Sequence, residues 1–475
     1  MEPCDLAIIG AGPGGYVAAL RAAQLGLKVT LIEREKAGGT CLHRGCIPSK
    51  ALIHGARVFD TVRKAAEFGV NTGGAPTFDY GVLAARKDKT VGMLEKGVEF
   101  LLQKRGVKLV KGNAKFLDPR QLRIDASDGT DETLSYSYCI VATGGVPTPL
   151  KNIPTDGQTF VTSNEVLRWT ELPKSVLVVG AGVIGCEFAS MFARLGSKVT
   201  VVEKLAQALP GFDEDVAKEI GRALKKQGVD LRLEANIKAA AVVPGENGAS
   251  LAELTLGEGE TAEKITAEKC IVAVGRKPTV EHLDAKKAGL IVNSKGALEV
   301  DEYCRTSVSG IYAIGDVTGV APLAHTASHM GLVTAEQIAG SARGGRDITF
   351  DKSHAPWAVF TEPEVAAIGL TETAARADGR EVKVGKFPFR GLGKALATGE
   401  YDGFVKVIAD AKTGRLLGFH CVGSEATNLL GEASLAWSME AGVEDFANAI
   451  HAHPTFPEAI GEAALAAMGM GLHVV

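Results

Sequence analysis

The feature that most constrains the fold is an internal repeat. Residues 8–33 read IIGAGPGGYVAALRAAQLGLKVTLIE, and residues 178–203 read VVGAGVIGCEFASMFARLGSKVTVVE. In each copy a β-branched run meets Gly-x-Gly-x-x-Gly. A helix rich in small apolar residues follows, then a Leu-Gly turn and a Lys-Val-Thr strand ending in Glu. The first glycine and the acid stand 23 positions apart in both copies, Gly10 to Glu33 and Gly180 to Glu203. Each copy reads as a βαβ unit. Gly10 permits the tight turn after the strand, Gly12 lets backbone approach a pyrophosphate, and Gly15 allows close helix–strand packing. The helix start, with Gly14, offers unpaired N–H groups to phosphate. Glu33 is placed to accept hydrogen bonds from a ribose diol. Gly180, Gly182 and Gly185 repeat the device, with Val183 and Ile184 between the last two and Glu203 as the acid. An acid there suits a free 2′-OH and repels a 2′-phosphate, so the second unit is expected to hold NAD, although Lys204 follows directly.

Two such units leave much of a 475-residue chain unaccounted for, and about three or four domains are expected. VPTPLKNIP (146–154) is a Pro-punctuated connection. Pro244 to Glu260 reads as a polar hairpin excursion, and GSARGGR (340–346) as a flexible junction. Beyond it, short strands (EVKVGKF, GFVKVIAD, LLGFHCVG) surround helical stretches, the pattern of an α+β domain. Lys+Arg 52 against Asp+Glu 56 leaves a net charge of −4, with no footprint for nucleic acid or acidic membranes. No stretch reads as a membrane span, and the acidic start MEPCD lacks the pattern of a signal peptide. A soluble cytoplasmic protein is the expectation.

Eight cysteines are too few for a disulfide scaffold. Six of them are scattered singly (Cys4, Cys139, Cys186, Cys270, Cys304, Cys421) and read as buried thiols. Cys41 and Cys46, in GGTCLHRGCIPSK (38–50), are different. Within one regular helix their Cα atoms would be roughly 8–9 Å apart, whereas a disulfide needs about 4.4–6.8 Å. A bonded pair therefore requires Cys41 on an irregular turn and Cys46 at a helix start, where a thiolate is favoured. Gly45 and Pro48 suit that placement. Two buried thiols that merely lie close, or a zinc site, are the alternatives; zinc would need two more ligands, and there is no second pair.

The segment GGTC-x₃-GCIPSK resembles the flavin disulfide reductases, the pyridine nucleotide–disulfide oxidoreductase family, and the likeness runs over essentially the whole chain. The resemblance implies an α/β fold with two Rossmann-like dinucleotide-binding domains, for FAD and NAD, a central region and a C-terminal α+β dimerisation domain. The corresponding spans are 1–147, 148–276, 277–346 and 347–475. It implies that Cys41 is the interchange thiol, that Cys46 faces the flavin, and that Lys50 sits by the flavin and pairs with Glu187. Taken alone, Glu187 would read as a surface carboxylate. Further FAD contacts are implied for Gly39, Thr40, Gly112, Thr143, Gly144, Asp316 and Ala324, and NAD contacts for Ile237 and Gly275. Val274-Gly275-Arg276 resembles a segment closing over the nicotinamide nucleotide.

HAHPTFPEA (451–459) alone would pass for a polar loop. Thiol–disulfide exchange needs a proton carrier, and histidine titrates in the right range. By resemblance His453 is that base, oriented by Glu458 and acting on the cysteines of the other subunit of a homodimer; His451 is its neighbour. Residues 95–107 and 413–436, HAHPT and Glu203 resemble the branch that oxidises protein-bound dihydrolipoamide with NAD⁺. Its partners are the lipoyl and subunit-binding domains of an E2 acyltransferase or the glycine cleavage H protein. A reductase of another disulfide (glutathione- or mycothione-like) and a non-catalytic redox sensor are the alternatives. One departure stands out: His43-Arg44 replaces the Asn-Val most often found between the two cysteines.

Overall fold

The computed structural model describes residues 1–126, 129–259 and 262–474. Strand β1 (Cys4–Ile9) is almost wholly buried, as a central parallel strand must be. Helix α1 (Pro13–Gln24) starts with proline at its first position and buries Gly14, Gly15, Ala18, Ala19 and Ala22. Strand β2 (Val29–Glu33) completes the first unit. The cysteine segment forms two helices, α2 (Gly39–Arg44) and α3 (Cys46–Arg63). Helix α4 (Tyr80–Lys104) is capped by Asp79, which accepts the Val82 N–H. Strands β3 (Lys108–Asp118), β4 (Gln121–Ala126) and β5 (Asp131–Val141) form an antiparallel meander whose ends join β2 and β1 in parallel.

Strand β6 (Gly145–Pro147) leads out of this unit. The second unit contains β7 (Phe160–Thr162), α5 (Ser163–Val166), β8 (Ser175–Val179), α6 (Val183–Leu195), β9 (Lys198–Val202), α7 (Glu214–Lys226) and β10 (Asp230–Arg232). An antiparallel sheet of β11 (Ile237–Pro244), β12 (Ser250–Leu256) and β13 (Glu263–Ala267) follows. Strand β14 (Lys269–Val272) returns to the parallel sheet, whose order is β10-β9-β8-β14-β7. The expected excursion is thus the β11–β12 hairpin; Glu260, its assigned end, lies outside the described residues.

Strand β15 (Arg276–Pro278) pairs antiparallel with β6, so the chain leaves and re-enters the first unit side by side. Strand β16 (Ile311–Ala313) then pairs parallel with β5, and α8 (Ala324–Ala339) packs on α1. A methyl at Gly331 would stand 2.5 Å from the Gly14 carbonyl oxygen, so only glycine permits this close crossing. The 340–346 junction is tied down rather than loose. Fully buried Glu336 pairs with Arg346 at 3.1 Å and with Arg21 at 2.9 Å, and Arg343 donates to the Gly26 carbonyl.

The last domain is a five-stranded antiparallel sheet of β17 (Trp357–Val359), β18 (Glu364–Gly369), β19 (Val382–Pro388), β20 (Phe404–Asp410) and β21 (Leu416–Gly423), with the order β17-β18-β21-β20-β19. Its helices are α9 (Glu372–Ala377), α10 (Gly393–Thr398), α11 (Ala426–Ser438), α12 (Val443–Asn448) and α13 (Glu458–Ala467). β20 and β21 are buried on both faces. Val405, Val407, Phe419 and Cys421 face the domain's own core, while Phe404 and Val422 join a core shared with α3 and α6. That shared core fixes the three parts around one cavity. Among the described residues no helix is long and apolar enough to cross a membrane.

Candidate active site

The two glycine loops have the same geometry. Gly10 and Gly180 take φ of +102° and +99°, a region that favours glycine. A methyl at Gly15 would lie 1.9 Å from the Gly10 oxygen, and one at Gly185 the same distance from the Gly180 oxygen. At Gly12 and Gly182 the space beside Cα is open, which leaves room for close approach of a ligand. The acids are held by backbone N–H groups. Glu33 accepts the N–H groups of Ala11 (2.7 Å) and Glu35 (2.8 Å); Glu203 accepts those of Ala181 (2.7 Å) and Leu205 (2.8 Å). Each carboxylate therefore ties its strand end to the glycine loop.

A cavity of ≈ 700 Å³ runs from the first loop to the cysteines. Gly10, Gly12, Gly14 and Glu33 line it from the first unit, with Gly112, Thr143 and Gly144 at the strand ends. Gly39, Thr40, Cys41, Cys46 and Lys50 come from α2 and α3, and Asp316 and Ala324 from the returning segment. Val183, Ile184 and Glu187, expected at the second nucleotide, close the same cavity from the other side. Gly15 serves packing behind it. Gly180, Gly182, Gly185, Glu203, Ile237 and Gly275 do not line it; they belong to the loop and strand ends of the second unit.

Cys41 and Cys46 are free thiols in this structure, so the irregular turn required of a bonded pair does not apply, and Cys41 sits inside the short helix α2. The irregularity is confined to Gly45, where φ −148° and ψ −120° separate the two helices. A methyl there would stand 2.9 Å from the Thr40 oxygen and 3.2 Å from Cys41 Cα, so glycine lets α2 fold back onto α3. Cys46 begins α3, as expected. The two thiols are hydrogen-bonded to each other. The bond from Cys41 and the Lys50 charge together outweigh burial and the Glu187 charge, lowering the Cys46 thiol to about 7. Cys41 is driven strongly upward by the same bond and by burial. The remaining six cysteines are all buried.

Lys50 Nζ lies 2.9 Å from both oxygens of Glu187, whose side chain is only 5% exposed. The Phe360 N–H donates to the same carboxylate at 3.0 Å, and the Phe360 ring lies 4.7 Å from Lys50 Nζ. Nothing in the local sequence marks Phe360; tertiary packing brings it there. The side chain of Arg276, from the Val274-Gly275-Arg276 segment, reaches into the cavity. It donates to the Gly145 carbonyl and stands 3.7 Å from Asp316. Its Nε is buried without a hydrogen-bond partner among the described residues. A buried guanidinium nitrogen without a hydrogen-bond partner and an open glycine approach in a cavity of ligand size suit an anionic dinucleotide, so these residues fit the expected FAD. His325, which also lines the cavity and bonds the Pro356 carbonyl at 2.8 Å, carried no recognisable motif.

His453 Nδ1 lies 2.9 Å from Glu458 Oε1, the expected pair. Burial would raise the Glu458 carboxyl, but the Thr455 N–H and His453 outweigh it and hold it below the usual range. The His453 side chain is 77% exposed and does not line the cavity, so a single chain does not unite it with the cysteines there. His451 is engaged elsewhere, 3.0 Å from Glu432.

Residues 4–331 match the pyridine nucleotide-disulphide oxidoreductase profile, and residues 355–464 match that family's dimerisation domain. The chain is 42% identical to the dihydrolipoyl dehydrogenase of Bacillus subtilis, covering 99% of both chains. It is 42% identical to dihydrolipoyl dehydrogenase 2 of Haloarcula marismortui, over 99% of this chain and 98% of that one. The crystal structure of LpdA from Mycobacterium tuberculosis superposes with a TM-score of 0.88 at 26% identity, covering 97% of this chain and 99% of that one. With sequence, architecture and cavity in agreement, the chain belongs to the pyridine nucleotide-disulphide oxidoreductase family.

Proposed function

We propose that this enzyme, a family member using FAD and NAD, oxidises the dihydrolipoyl group of a partner protein and reduces NAD⁺. The observation that carries the reading is the Cys41–Cys46 pair beside Lys50 and Glu187 in the cavity of the first glycine loop. The relatives named dihydrolipoyl dehydrogenase support the choice of substrate. His453 of one subunit takes a proton from the substrate dithiol, and the resulting thiolate attacks Cys41 in the oxidised pair. Cys46 leaves as a thiolate, favoured by Lys50 and the helix start. The second substrate thiol then displaces Cys41, which takes up the proton held on His453, while that second thiol's own proton passes to the Cys46 thiolate. The substrate leaves as a disulfide, and the pair is left as a dithiol. FAD, when bound, supplies the two-electron transfer from this dithiol to NAD⁺. Glu458 holds the His453 ring in orientation, and Glu203 selects NAD by like-charge repulsion of a 2′-phosphate. The lipoyl group is carried by an E2 acyltransferase or by the glycine cleavage H protein.

The test is a steady-state comparison of dihydrolipoamide with NAD⁺ against glutathione disulfide with NADPH. A clear preference for the first pair is expected; faster turnover of the second overturns the assignment.

A further inference from the structure

We propose that Arg44 is a further cofactor-binding residue of this chain, its guanidinium joining that of Arg276 on the diphosphate of FAD. The inference rests on reading the cavity as the FAD site.

Arg44 lies four positions after Thr40 on α2, one helical turn along, and both line the cavity. The Arg44 side chain is 27% exposed and pairs with Glu35 at 2.6 Å. Arg276 is more enclosed, 14% exposed, with its Nη2 3.5 Å from Thr40 Oγ1. Two guanidinium groups thus converge on the Thr40 side of the cavity. Arg276 feels the cost: burial holds it below the ordinary arginine value, and the Arg44 charge adds to that effect against Asp316. Glu35 pairs with Arg44 and Asp316 lies 3.7 Å from Arg276, but neither gives the buried Arg276 Nε a hydrogen bond. Glu33 is committed to the Ala11 and Glu35 N–H groups, and the Asp316 carboxyl is itself pushed up by burial. An anion placed between the two guanidinium groups relieves their repulsion and gives the orphaned Arg276 Nε a partner. The Arg fork matches phosphate oxygens in a way a lysine does not. The open approach at Gly12, on the same cavity wall, supplies the space. His43, the other half of the departure between the cysteines, turns away and lies 2.8 Å from the Ala37 carbonyl. It pins the loop and leaves Arg44 as the member facing the ligand.

The competing account is that Arg44 only ties α2 to Glu35. Release of FAD from diluted holoenzyme, followed by the rise of free-flavin fluorescence, separates the two. Arg44→Met is expected to release FAD about tenfold faster at low salt, with the difference shrinking as salt screens the contact. Arg44→Lys, which keeps the charge without the fork, is expected to fall between Met and wild type. Glu35→Gln frees Arg44 from its ion pair and is expected to release FAD no faster than wild type. Release from Arg44→Met within about twofold of wild type overturns the proposal. So does Glu35→Gln releasing as fast as Arg44→Met, since the ion pair would then be the cause. Wild-type protein that carries no FAD refutes the reading of the cavity itself, a separate outcome.

Discussion

At Cys46 one thiol is set apart from seven others by its neighbours. Being first in α3, it accepts the Cys41 hydrogen bond and faces Lys50, and these place it near 7. Its charged form is favoured relative to an ordinary thiol, so about half of the reduced pairs should hold a thiolate at neutral pH. Thiolate absorbance of the reduced protein is expected to titrate with a midpoint near 7. In Lys50→Met the midpoint should move upward, because a stabilising cation is lost while burial remains. An unchanged midpoint would remove Lys50 from this role. The cysteine spacing and the glycine loops were legible in the sequence because each is local, whereas the histidine before Pro-Thr stood out only through family likeness. Glu187 was legible only through family likeness. Alone it reads as a surface carboxylate on a helix, and it is the meeting of α6 with α3 and Phe360 that buries it. The place of the Arg276 side chain in the cavity follows from the β6–β15 crossing, which no local pattern encodes.

Helix α3 carries more than its two reactive-site residues. Lys50, Arg57 and Asp60 follow at steps of seven and three, which places them along one face. Lys50 pairs with Glu187 on α6, Arg57 with Glu364 at 3.2 Å on β18, and Asp60 with Arg194 on α6. The helix that presents Cys46 is thus clamped to the second unit and to the last domain at once. Arg194, 5% exposed, also reaches Glu362 at 3.4 Å. Removing it takes the cation from Glu362 and leaves Asp60 with Arg63 alone, at 3.6 Å. Arg194→Met is therefore expected to lower stability by about 3 kcal/mol, the low end for breaking a buried pair, measured by urea denaturation. A shift below about 1 kcal/mol would show the clamp to be solvated. Gly45 and Pro48 announced the start of α3 at Cys46. They could not announce α2, whose few residues hold helical shape only because α3 and the first loop pack around them.

Across the whole molecule, the last domain sits on the second unit through a buried charge. Lys406 on β20 is 4% exposed and meets Asp213, Asp215 and Glu372 at 2.9, 3.0 and 2.9 Å. Burial would raise Asp213 and Asp215, but Lys406 outweighs it and holds both below the ordinary range; Glu372 is lowered chiefly by the same lysine. Carboxyls depressed in the folded state stabilise above their unfolded values and lose that contribution as pH falls through the folded ones. Wild type should therefore lose stability below roughly pH 4. Lys406→Met should be weaker at pH 7 by about 3 kcal/mol and recover part of the loss on acidification, as the stranded carboxylates protonate. Urea midpoints against pH check both slopes. The separation of His453 from the cavity bears on the assembly. Cys41→Ser and His453→Ala homodimers should each be nearly inactive. After subunit exchange, about a quarter of wild-type activity should return, since about half the dimers are mixed and each has one intact site of two. Verified heterodimers without recovery would place the base within its own chain. No local pattern could place His453 relative to the cysteines, which lie some four hundred positions earlier in the chain. The burial of Cys4, Cys139, Cys186, Cys270, Cys304 and Cys421 has a practical corollary: burial drives all six thiols upward, and none should meet an alkylating reagent in the native state. A reduced sample should consume at most two equivalents of such a reagent while folded, at Cys41 and Cys46, and all eight once opened. The chain thus carries an internal clock for its own unfolding, read by counting labels on the intact mass.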